Sequence, residues 1–206
     1  MLIRSLVRVR LTRFFRSDIY IKNRCSGADA ILIDMERSEE SEEYKMRSFH
    51  RLRDSKYLLP NILVDPVTSP NIWIPRLETD LSIRGMAVRS SDRLAVIDHF
   101  DDVDPRLAEH NTVFTMIWDT REHRITHSII SYHRINDADI NYNSSIRTAV
   151  DGSLEHNIQP LAARTLRFKD MDSALQELAI LRQIGFTGAV IRNPNLIEMT
   201  NKVFGE

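Results

Sequence analysis

Short runs rich in β-branched residues recur along this chain, separated by longer stretches whose apolar residues return every three to four positions. That alternation of periods is its most constraining feature. It builds a parallel sheet with helical crossovers, because two parallel strands can be joined only by a long connection. Eight runs qualify as strands: 3–9, 30–34, 62–65, 85–88, 112–118, 138–141, 160–165 and 189–191. A (β/α)8 barrel needs roughly 200 residues, and this chain has 206. The expectation is therefore α/β: one domain over residues 1–206, a (β/α)8 TIM barrel that is reduced or irregular in places.

Local signals place the last units most firmly. Asp170 or Asp172 can cap a helix that carries Met171, Leu175, Leu178 and Ala179 on one face. Gly185 stops it, and Gly188 allows a tight turn into the closing strand. Asn193 can cap a final helix with Pro194 in its first turn. The run from Ser38 to Glu43 reads as a solvated acidic helix start, where carboxylates offset the helix dipole. Asp119, His123 and His127 are spaced i, i+4, i+8, which would put them on one face of an exposed helix. The arrangement lacks the intervening Glu of a zinc-protease helix.

Charge and composition remove several classes of function. The formal net charge is −1, so no global field favours nucleic acid or an anionic membrane. No apolar run approaches the ~18 residues of a membrane span. Cys25 is the only cysteine, which excludes an internal disulfide and a thiolate metal cluster and suits a reducing compartment. A cytoplasmic setting is expected. Met1 to Arg16 carries five arginines and no acid. A mitochondrial transit peptide is the sharper reading of that terminus, but Val7 to Leu11 alternates with the period of a first strand. No glycine-rich phosphate loop precedes a helix, and no G-x-S-x-G elbow occurs.

Two segments carry a resemblance. Ser26-Gly27-Ala28-Asp29-Ala30-Ile31-Leu32-Ile33-Asp34-Met35-Glu36 resembles the second strand of the citrate lyase beta-subunit/HpcH–HpaI aldolase superfamily, with Lys22 matching a frequent lysine before it. Leu178 to Gly188, followed by Asn193-Pro194-Asn195-Leu196-Ile197-Glu198 and Asn201-Lys202-Val203-Phe204, resembles that family's closing unit. The resemblance implies a barrel with its functional mouth at the C-terminal strand ends. It also implies Mg²⁺ held by a Glu and an Asp, an Arg gripping a substrate carboxylate, and carbon–carbon lyase chemistry on a 2-keto acid or acyl-CoA thioester. Self-association, often as a trimer, is implied in the same way.

Carried over residue by residue, the family's machinery is thin. The substrate Arg falls on Leu63, one metal acid on Asp119 and the other on Ser144. Arg8-Val9-Arg10-Leu11 stands where the family has F-V-P-G, and the last acid of its second-strand motif is Arg37. The expected site is Glu36 and Asp119 as catalytic residues and as Mg²⁺ ligands, with Asp34, Asp65 and Asn193 binding substrate. Hard oxygen ligands suit Mg²⁺, but a single protein carboxylate holds it weakly. The reading is a diverged relative with a degraded metal and substrate site, weakly active or non-catalytic, in a binding or assembly role. The alternative is an Mg²⁺-dependent lyase or aldolase.

Overall fold

The computed structural model describes residues 1–10, 23–34, 41, 43–44, 47, 61–65, 83–89, 114–122, 124–131, 140–163 and 171–205. Within them, eight strands close into a barrel in chain order: β1 Ser5–Arg10, β2 Ala30–Asp34, β3 Asn61–Asp65, β4 Ile83–Arg89, β5 Phe114–Asp119, β6 Arg124–Ser131, β7 Gln159–Ala163 and β8 Gly188–Ile191. Helices α1 Ile140–Glu155, α2 Met171–Ile184 and α3 Ile197–Gly205 follow β6, β7 and β8.

A closed barrel buries both faces of every strand, and each strand sorts its side chains by period two. Leu6, Ala30, Leu32, Leu63, Ala87, Ile117, Ile129, Leu161 and Val190 form the inner core. Val7, Val9, Ile31, Ile33, Ile62, Val64 and Met86 belong to the outer layer, with Ile146, Val150, Leu178 and Leu181 of the helices. The seam closes where Leu6 pairs with Val190. Gly188 is required there, since a Cβ would lie 2.3 Å from the Ile3 carbonyl oxygen.

One departure from a regular barrel governs the rest. β5 pairs antiparallel with both β4 and β6, while the other neighbours are parallel. Only residues 120–123 separate β5 from β6. So short a link can turn the chain back but cannot cross over, because a parallel return needs a dozen residues or more. The crossover that a regular barrel would have between its fifth and sixth strands is missing here. His127 therefore lies within β6 rather than on a helix face, and His123 lies outside the described residues. Of the sixth strand expected at 138–141, residues 140 and 141 instead begin α1, whose buried Ile146, Ala149, Val150 and Ser153 show helical spacing.

The closing helix also rotates from its expected register. α2 buries Ala174, Leu178 and Leu181, leaving Met171 and Leu175 exposed. It stops at Gly185, whose φ of 113° suits glycine and whose N–H donates to Arg182 O. The two segments that carried the resemblance meet in space, with Asn201 Nδ2 donating to Gly27 O at 2.9 Å. Asp29 of the first segment takes a bidentate grip from Arg4 (2.8 and 3.0 Å) and accepts the Arg4 backbone N–H.

Candidate functional site

Seven strands present their C-terminal ends at one rim of the barrel, and two acids stand on adjacent strands there. Asp34 ends β2, Asp65 ends β3, and the two are ladder partners. Their side chains are 1% and 2% exposed. Between them reaches Arg8 of β1, which lies level with Leu32 and Leu63, one layer deeper in the barrel. Its Nε donates to Asp34 Oδ2 at 2.9 Å and its Nη2 to Asp65 Oδ2 at 3.2 Å. Like charges held side by side out of water call for a counter-charge, and the guanidinium bonded to both supplies it.

The reasoning from sequence missed Arg8, although a signal was present. Arg8 sits between Val7 and Val9 in a strand buried on both faces. A charge in that position points into the barrel and must find a counter-charge.

Asp119 does not face this mouth. Because β5 runs backwards, its C-terminal residue pairs with Gly85 near the start of β4 and with Arg124 at the start of β6, at the base of the barrel. The expectation that it shares a mouth with Asp34 and Asp65 is corrected on that ground. Fully buried, Asp119 shapes the hairpin, its Oδ1 accepting the N–H groups of Arg121 (2.9 Å) and Glu122 (3.1 Å). Its Oδ2 lies 2.9 Å from Arg84 Nε, but the N–H is not aimed at the oxygen, so the attraction is Coulombic without a well-formed hydrogen bond. Glu122 extends the network to Arg84, Arg124 and the Met1 amine.

His127 sits in the same base, fully buried, with Nδ1 2.8 Å from Thr126 Oγ1. Burial, and after it the Met1 amine, hold its pKa down to about 4, outweighing Gln159, Asp119 and the Met1 backbone, which act to raise it. It is therefore neutral at pH 7. The Cys25 thiol is pushed up to about 11 by burial and is no nucleophile.

The other expected residues are placed as follows. Asn193 follows β8 at the mouth end and caps the 3-10 turn Pro194–Leu196, its Oδ1 accepting the Asn195 N–H at 3.1 Å. Leu63 is wholly buried in the inner core, and Ser144 is an exposed residue of α1. Glu36 and Lys22 lie outside the described residues. Mg²⁺ does not fit the described donors well. The acids at the mouth already share one guanidinium, and among the described residues no group of three or more His, Cys, Asp and Glu side chains converges on a cation position.

Comparison with known proteins gives a fold. The chain is similar to the protein CitE of Mycobacterium tuberculosis solved with magnesium and acetate, with TM-score 0.58 and 14% identity over 99% of this chain and 91% of that one. It is also similar to RipC of Yersinia pestis, with TM-score 0.52 and 13% identity over 98% and 94%. No protein-family profile and no curated protein sequence matches it. The fold is a CitE-like α/β barrel with β5 reversed.

Proposed function

We propose that this CitE-like barrel is a diverged relative of the citrate lyase beta-subunit and HpcH–HpaI enzymes, weakly active or non-catalytic, whose mouth binds a small keto acid or acyl-CoA thioester in a binding or assembly role. The observation that carries the reading is the pairing of Arg8 with both acids of the mouth. The charges that would steady a metal-bound enolate are committed to each other, and Asp119 stands at the opposite end. Fold alone does not decide chemistry; the residues at the mouth do.

The test measures thermal unfolding with pyruvate, oxaloacetate and acetyl-CoA, each with and without Mg²⁺, alongside turnover followed by mass spectrometry. Ligand binding raises the midpoint by mass action. A rise with a keto acid or thioester that Mg²⁺ does not enhance is the expected result. Mg²⁺-dependent carbon–carbon cleavage at about 1 s⁻¹ or faster, the ordinary enzyme range, would overturn the reading. Light scattering on the same samples reads the assembly role, for which a homo-oligomer is expected.

A second reading, an Mg²⁺-dependent lyase or aldolase, draws on Asp34 and Asp65 as hard oxygen donors on adjacent strands and on the magnesium and acetate of the similar solved protein. Under it, Asp34→Asn abolishes an Mg²⁺-dependent turnover that the wild type shows.

A further inference from the structure

The misfit between this donor set and a divalent ion leads further. The geometry points to Arg8 as the resident cation of the barrel mouth: its guanidinium holds the place between Asp34 and Asp65 that a divalent metal ion would otherwise fill, and its removal converts the acid pair into a metal site. The inference uses the same mouth as the proposed function but does not depend on whether the chain turns over a substrate.

Three observations carry it. Asp34 and Asp65 are ladder partners at the ends of neighbouring strands, so their carboxylates are fixed side by side by the sheet itself. Both are almost wholly buried, and like-charged groups buried side by side need a counter-charge between them. Among the described residues, the cation bonded to both is a guanidinium whose separate nitrogens serve the two acids at 2.9 and 3.2 Å. A rigid planar fork can address two oxygens at once, which a lysine ammonium does less well. Arg8 rises from the inner wall of β1, one layer below the acids, so this cation is tethered and cannot dissociate. The consequence is a mouth whose charge does not follow the concentration of divalent metal.

The test uses the full chain and Mn²⁺ as probe, read by calorimetry and electron paramagnetic resonance. Wild type is expected to bind no Mn²⁺ at the mouth. Arg8→Gln is expected to bind it with Kd on the order of 10⁻⁴–10⁻³ M, the range of weak oxygen-ligand sites, at least tenfold tighter than wild type. Its melting midpoint should rise by a few degrees at about ten times Kd. The double variant Arg8→Gln with Asp65→Asn should lose both effects. Arg8→Lys, which keeps a positive charge, should bind no Mn²⁺.

Mn²⁺ binding by Arg8→Gln no tighter than wild type would overturn the inference. So would wild-type binding that Asp34→Asn abolishes, an arm that holds even if Arg8→Gln fails to fold. Metal-independent turnover of a keto acid at ordinary rates would sink the non-catalytic reading and leave this inference standing. Mn²⁺ seated between Asp34 and Asp65 in wild type would sink this inference whatever the turnover.

Discussion

His127 makes the stability of this barrel depend on pH in a window set by one buried ring. The imidazole is fully buried at the base, and its pKa falls from 6.5 to about 4. The folded state therefore binds this proton less readily than the unfolded chain does. Between pH 6.5 and about 4 the unfolded state carries more protons, so stability falls as pH falls through that window and levels off beneath it. The His127 contribution is fully present above the unfolded value and is lost as the ring is forced to protonate. At ~1.36 kcal/mol per pKa unit, the full loss is about 3 kcal/mol. For a chain of this size that is roughly 10 °C in the midpoint. The assay is chemical or thermal unfolding by circular dichroism from pH 7.5 to 4.5, with wild type and His127→Asn side by side. Wild type should be the more stable at pH 7, with the gap closing toward pH 4.5. The held-down carboxyl of Asp29, where the Arg4 hydrogen bonds and charge outweigh burial, is lost at lower pH in both proteins and so cancels in the comparison. Parallel stability curves, or an imidazole titrating near pH 6.5 by NMR, would refute the reasoning.

Two substitutions probe the base and the seam of the barrel. Asp119→Asn keeps a side chain able to accept the turn N–H groups but leaves Arg84 without its buried counter-charge. It should cost about 3 kcal/mol by denaturant unfolding without changing ligand affinity at the mouth; a loss of affinity at unchanged stability would contradict the placement at the base. Gly188→Ala places a Cβ against backbone oxygens of Ile3 and Arg4. It should break the β1–β8 seam and leave little soluble, cooperatively unfolding protein, whereas a variant as stable as wild type would mean the seam is looser than described.

The resemblance segments were legible because their signals are local. Short apolar, β-branched runs near residues 6, 31 and 190, Gly185 as a helix stop and Asn193 as a cap depend on neighbours a few positions away, and the barrel uses all of them. The hairpin from Phe114 to Ser131 was also legible in principle, as two β-branched runs around a short polar turn. The i, i+4, i+8 spacing of Asp119, His123 and His127 competed with that pattern, and the strand won because its alternate residues are needed on both walls of a closed barrel.

By itself, the sequence determined that this chain alternates strands with helices, that Arg8 and Val9 point to opposite faces, and that acids end the second and third strands. Only the tertiary structure decided that β5 runs against its neighbours, which carries Asp119 to the base, and that Arg8 ends between Asp34 and Asp65. The physical reason is range. Periodicity and capping are set by residues within a turn or a pleat, whereas strand direction and the meeting of charges from β1, β2 and β3 exist only once the sheet has closed.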